Sequence, residues 1–184
     1  MSEKIILGID PGTLFLGYGI ISIKNKNDIN LICLGEVRLN KLENHQLKLK
    51  KIFEKITALI HEYKPDECAV ECPFYGENVQ SMLKLGRAQG VAMVAALVAG
   101  LPVAEYYPKK VKQSITGNGN ATKEQVAKML QQLCKMEVLP KSLDATDALA
   151  VAVCHHYNGN NAISGAKKYN NWSSFVLDNK DRLK

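Results

Sequence analysis

The chain is 184 residues long, about one domain's worth, and its 46% hydrophobic and 23% charged residues exclude a disordered, collagenous or low-complexity polypeptide. Lysine and arginine total 24 against 18 aspartates and glutamates, and this net charge of +6 favours a polyanionic partner without requiring one. The longest weakly polar stretch, Gly90 to Ala104, is too short for a bilayer span and is broken by Gly100 and Pro102, while the apolar run Ile5 to Ile9 is too short for a signal-peptide core, so the expected location is cytoplasmic.

Lys4 to Ile9 is a continuous apolar run that predicts a strand buried on both faces, stopped by the turn signal Asp10-Pro11-Gly12. Gly17 to Ile23 and Asn30 to Leu39 are rich in β-formers and separated by a polar segment, which predicts an antiparallel pair. Leu49, Ile52, Phe53, Ile56, Leu59, Ile60 and Tyr63 then recur at three- and four-residue intervals behind an Asn44 cap, the pattern of an amphipathic helix with Lys48, Lys51 and Lys55 on its solvated side. Asp66 to Glu71 reads as a strand, Asn78 to Ala99 as a helix and Pro102 to Tyr107 as a fifth strand. A lysine-rich loop and the glycine-rich segment Thr116 to Ala121 follow. Thr122 and Gln125 form a capping-box pattern ahead of the next helix, and a last helix runs from Asp144 to His156. Three strands in succession followed by alternating helices and strands predict an α/β fold with a five-stranded mixed sheet flanked by helices. Residues 1–158 form the expected domain. From 159 to 184 the composition turns to Asn, Gly, Ser and Lys, a polar tail in which Trp172, Phe175 and Val176 have the character to dock one short turn on the body. The cysteines, 5 in number, are scattered through predicted core segments, which points to reduced thiols rather than a disulfide framework or a zinc site.

The informative feature is where acids fall against this apolar background. Asp10 ends the first strand and Glu71 the fourth, each behind residues that should be buried. Asp144 and Asp147 lie one turn apart on a helix otherwise made of Ala, Leu and Val, so both occupy one face. Ionised groups beside a core are costly unless paired, and no Lys or Arg stands at pairing distance within that helix. A divalent cation removes the difficulty. Mg²⁺ prefers hard oxygen ligands and retains waters, and two such ions suit phosphodiester hydrolysis. Taken singly, each acid has an ordinary explanation: a turn at Asp10, a lysine partner for Glu71, a helix cap at Asp144.

The order of motifs goes further. Ile9-Asp10-Pro11-Gly12, Gly17-Tyr18-Gly19, Val70-Glu71, Leu83 to Gly90, Val111-Lys112-Gln113 and Asp144 to Ala150 resemble, in that order over residues 5 to 157, the RuvC family of bacterial Holliday-junction resolvases. The resemblance implies a ribonuclease-H-like fold whose four acids, here Asp10, Glu71, Asp144 and Asp147, bind Mg²⁺ or Mn²⁺, with two ions per subunit. It implies a homodimer that nicks two strands of like polarity symmetrically across a four-way junction, in company with the branch-migration proteins RuvA and RuvB. Phe74 matches an aromatic that stacks on a base near the opened junction centre, and Lys112 and Lys123 match basic residues implicated in DNA contact and catalysis. Two segments depart from the family pattern: Thr13 to Leu16 is more apolar than expected, and Cys72-Pro73 replaces a Gln-containing stretch.

Lys109, Lys110 and Lys112 precede small residues that let a backbone follow phosphates, and are read either as a DNA contact or as a solvated basic loop. Lys123 falls in the first turn of a helix, where a cation opposes the dipole and a nearby phosphate would compensate. Phe74 either stacks on a base or folds back on the core. Met82, Leu83, Leu85, Met93 and Val94 exceed one helical stripe, so either a two-fold partner or the sheet covers the excess. His155 lies eleven residues of helix from Asp144, roughly 16 Å along the axis, and neither it nor His156 is given a role. An actin-like ATPase shares the Asp-x-Gly turn but needs two copies of the fold. A junction-binding module without cleavage and a nuclease acting on ribosomal RNA precursors remain as further alternatives.

Overall fold

A computed structural model describes residues 3–25, 28–73, 78–140 and 143–159. The strands are β1 (Lys4–Asp10), β2 (Phe15–Asn25), β3 (Asp28–Arg38), β4 (Glu67–Glu71) and β5 (Val103–Tyr106). The helices are α1 (His45–Tyr63), α2 (Val79–Val98), α3 (Pro108–Thr116), α4 (Lys123–Leu133) and α5 (Leu143–Gly159). The sheet order is β3-β2-β1-β4-β5; β2 runs antiparallel to β1 and β3, while β4 and β5 run parallel to β1. The expected mixed α/β sheet is therefore present, with residues 26–27 lying outside the described residues.

Each face of the sheet has its own core, and alternation along the strands sorts residues between them. Leu7, Ile9, Leu16, Ile20, Cys68 and Val70 pack beneath α1 and α2, whereas Ile6, Ile21 and Ala69 pack beneath α3, α4 and α5. By that alternation Gly8 and Asp10 of β1, and Ala69 and Glu71 of β4, look toward α5. This helix is buried nearly all round from Ala145 to His156, which is why its sequence shows so little polarity. It lies so close to the sheet that a Cβ at Gly8 would collide with the carbonyl oxygen of Ala148, and one at Gly17 with that of Asp144. The glycines thus set the depth at which the acidic end of α5 meets the end of β1.

Two local signals in the sequence appear as written: Asn44 accepts from Leu47 N–H at the start of α1, and Thr122 and Gln125 form a reciprocal capping box. The segment after β5 is a helix, not the loop that its lysines suggest. Pro108 starts α3 at a position where its missing N–H costs nothing, and Val111 and Ile115, one turn apart, bury the inner face. The last helix extends to Gly159, one residue past the compositional boundary. Cys68, Cys134 and Cys154 are buried and all 5 cysteines are free. Among the described residues no helix is long and apolar enough to cross a membrane. Trp172, Phe175 and Val176 lie outside the described residues.

Candidate metal centre and nucleic-acid interface

β1, β4 and β5 are parallel, and β3 runs in the same direction, so their carboxyl ends share one edge of the sheet. α1, α2 and α3 each begin where β3, β4 and β5 end. The first turns of α4 and α5 arrive at the same edge, because Lys123 contacts Asp147 and the Asp144 carbonyl sits over Gly17. All five described helices therefore start on one side, and their positive dipole ends face the place where Asp10 and Glu71 emerge.

Within it, Asp10 from β1 and Asp144 and Asp147 from α5 each place a carboxylate oxygen within 4.8 Å of the others. Glu71 stands outside that trio but beside it. The parallel register Ile9↔Val70 sets the ends of β1 and β4 next to each other, and Glu71, Asp10 and Asp147 line one cavity of about 260 Å³ with Lys112 and Lys123. Burial, and then the charges of Asp147 and Asp144, push the Asp10 carboxyl up to about 7. Burial, followed by Asp10 and Asp147, pushes Glu71 up to about 8. Asp147 is raised by burial despite its pairing with Lys123. Acids held this close and this dry oppose their own ionisation, and hard oxygen donors from separate elements are the set that Mg²⁺ or a similar cation accepts. The residues present fit a divalent ion.

Lys123 differs from its expected setting. Its Nζ donates to Asp147 Oδ2 and lies 3.9 Å from Asp144 Oδ1, so carboxylates rather than a phosphate offset its place in the first turn of α4. Burial alone would lower its pKa, but Asp147, Asp10 and Asp144 outweigh that and raise it. Lys112 points one flank of α3 into the same cavity, whereas Lys109 and Lys110 are exposed outside it, with the Lys109 stem against Gly119. Phe74 lies outside the described residues. The remaining cavity wall, about 250 Å³ of space on the other side of Asp10 and Glu71, is lined by Pro11, Gly12, Cys72, Pro73, Leu85 and Gln89 with Pro108.

Residues 6–155 match the family model described as crossover junction endodeoxyribonuclease RuvC. The chain belongs to the RuvC family. The RuvC protein of Christiangramia forsetii is 55% identical over 183 residues, covering 100% of this chain and 94% of that protein. That of Porphyromonas gingivalis is 52% identical over 187 residues, covering 99% and 98%. Among solved structures, Thermus thermophilus RuvC in complex with a Holliday junction substrate superposes with a TM-score of 0.81 at 31% identity, covering 86% of this chain and 96% of that one. The five-stranded sheet with its helices is thus the ribonuclease-H-like fold of RuvC.

Sequence reasoning placed all four acids at this edge but missed three features. It gave no role to His155, which is buried and accepts or donates at both ring nitrogens, 2.7 Å from Tyr106 Oη and 2.6 Å from Glu67 Oε2, with Lys4 also on Glu67 at 2.7 Å. This chain ties the far end of α5 to β1, β4 and β5. It treated Lys48 and Lys55 as solvated, whereas Lys48 donates to Thr13 O at 3.0 Å and Lys55 stands 4.8 Å over the Tyr18 ring. It read α3 as a loop. An i, i+4 apolar pair behind a proline was the available signal.

Proposed function

We propose that the chain resolves four-way DNA junctions by metal-dependent paired nicking, and that Asp10, Glu71, Asp144 and Asp147 are its catalytic ligand set. The observation that carries the reading is one cavity walled by acids from β1, β4 and α5 and by Lys112 and Lys123. The acids would hold Mg²⁺, with Mn²⁺ as a substitute and two ions per subunit. When bound, such ions supply charge neutralisation at the scissile phosphate, an acidified water and stabilisation of the departing oxygen.

The chain's own residues do the rest. Asp10 and Glu71, carried by adjacent strands, and Asp144 and Asp147, carried by α5, present four carboxylates from closely packed elements, since α5 lies directly against Gly8 and Gly17. Lys112 and Lys123 draw the phosphate into the cavity. Water attacks phosphorus, the bond from phosphorus to the 3′ oxygen breaks, and the products carry a 5′-phosphate and a 3′-hydroxyl. Lys109 and Lys110, exposed beside the site, meet the DNA backbone further out. Phe74 stacks on a base at the junction centre.

Symmetric nicking needs two copies of the site. Val79, Leu83, Val94, Leu97 and Val98 of α2 are 51% to 75% exposed, and Gly86 and Gly90 between them have open space where a side chain would stand. That apolar face, with a low centre, suits a second copy of the same helix, and a homodimer follows. The working partners are then four-way junction DNA and the branch-migration proteins RuvA and RuvB, in the cytoplasm, with residues 1–158 as nuclease domain and 159–184 as tail.

The test compares a synthetic mobile four-way junction with linear duplex, in Mg²⁺ and in chelator. Paired nicks on the junction alone, dependent on metal, support the reading. Binding without cleavage in Mg²⁺ would leave a recognition module, turnover of ATP without DNA would favour the actin-like alternative, and cleavage of precursor ribosomal RNA alone would move the chain to another substrate.

A further inference from the structure

The acid cavity has a neighbour. Asp10, Glu71 and Pro108 belong to its wall and also to the wall of the space of about 250 Å³ on their other side, so one row of residues separates the two. The two spaces differ in chemistry. Lys112 and Lys123 face the first. The second has no cation among the described residues that line it: Pro11, Pro73, Pro108 and Leu85 give it apolar sides, and Gln89 and Cys72 are its neutral polar side chains. A phosphate therefore finds its counter-charge on the lysine side, while the other side suits a flat, uncharged and largely apolar group.

Gln89 is built into this second space. The residue is 9% exposed and lies one turn from Leu85, on the side of α2 away from the exposed Leu83, Val94 and Val98, so the face given to a second copy is not the one that lines the cavity. Its Nε2 donates to Glu105 Oε2 at 2.6 Å, and the same oxygen receives the Cys72 thiol at 3.7 Å. One carboxylate of β5, itself outside the cavity lining, thus holds wall residues from α2 and from the segment after β4. An ionised carboxylate only accepts, which decides that the nitrogen end of the Gln89 amide meets Glu105 and leaves Oε1 at the other end, without a partner among the described residues. An acceptor left unmet in so buried a side chain is unfavourable, and a ligand N–H would satisfy it.

We propose that this second cavity is a nucleobase subsite, in which a base next to the scissile phosphate lies against the proline and leucine walls and donates an N–H to Gln89 Oε1. The subsite rests on the junction-nuclease reading, since it takes its ligand from the strand that the acids hold. Every base offers a flat face to the walls, but ring and exocyclic N–H groups stand at different places on different bases, so a fixed acceptor favours some over others. Glu105 is a positioning residue. It touches no base and acts by keeping the Gln89 amide from turning round.

The experiment measures single-turnover nicking in Mg²⁺ of four-way junctions that carry each of the four bases in turn on either side of the cut, for the parent, Gln89→Met and Glu105→Gln. At one of these positions the parent should nick the favoured base about tenfold faster than the least favoured. Gln89→Met keeps the length of the side chain without its acceptor and should bring that ratio close to one. Glu105→Gln frees the amide to face either way and should lower the ratio part of the way, with the ratios at the other position as in the parent. A junction with an abasic residue at the deciding position should be nicked by the parent about tenfold more slowly than one with the favoured base, a comparison that needs no altered protein. A parent indifferent to the base at both positions, a Gln89→Met variant that loses rate on every sequence while keeping the parent's ratios, or an abasic junction nicked like the favoured one would each overturn the subsite while leaving the nuclease reading intact. A parent that nicks no junction at all would bring down both.

Discussion

Asp10→Asn is expected to abolish cleavage and, in the absence of metal, to stabilise the fold. The Asp10 carboxyl is pushed from 3.8 to about 7 by burial and by its acidic neighbours. An acid raised in the folded state favours folding below its ordinary pKa, and that contribution is lost as pH rises through the folded value. At about 1.4 kcal/mol per pKa unit, the shift amounts to about 4 kcal/mol of destabilisation in the metal-free protein above pH 7. Asparagine removes the charge but leaves an amide that costs about 1–3 kcal/mol if it finds no partner, so a net gain of about 2 kcal/mol is expected at pH 8. For a chain of this size that is a rise of about 4–8 °C in Tm. Thermal unfolding in chelator at pH 8 measures it directly, and the same comparison carried stepwise to pH 4 should see the gain vanish and reverse, because the cost of the amide does not titrate. Mg²⁺ should stabilise the parent more than the variant, since the parent has the repulsion to relieve. A variant no more stable than the parent at pH 8, or a gain independent of pH, would refute the account of the site as a strained acidic pocket.

Glu71→Gln and Asp147→Asn should each lose cleavage by ~10³-fold or more while junction binding survives, a separation read by single-turnover nicking beside a mobility shift. Gly17→Ala drives a methyl group into the Asp144 carbonyl and should cost about 1–3 kcal/mol, seen in denaturant unfolding, with cleavage falling as α5 is displaced. Leu83→Glu puts a charge on the exposed apolar face of α2 and should give a folded monomer by sedimentation that no longer makes paired nicks. Lys112→Ala should reduce the salt slope of junction binding by about 1.

Much of this molecule is legible along the chain because its signals are local. The apolar run of β1 stops at Asp10, Asn44 caps α1, and Thr122 with Gln125 boxes the start of α4. Asp144 and Asp147 stand out because a helix buried from Ala145 to His156 has no other use for charge at its start. α3 escaped because three lysines mask its two buried positions, Val111 and Ile115, in a nine-residue helix packed against α4 and α5.

What the residue order determined is the set of acids and the side of each element they occupy, since strand alternation and helical spacing are fixed by backbone geometry alone. The tertiary structure decided their company. Lys123 reaches Asp147 across 24 positions, His155 reaches Glu67 across 88, and Lys48 reaches the Thr13 carbonyl across 35. No periodicity encodes such meetings, because they depend on how deeply α5 sinks onto Gly8 and Gly17 and on how α1 lies beside α2. Electrostatic energies change steeply with distances that only packing sets, so the chain names the charges while the fold decides which of them must share a proton, a cation or a phosphate.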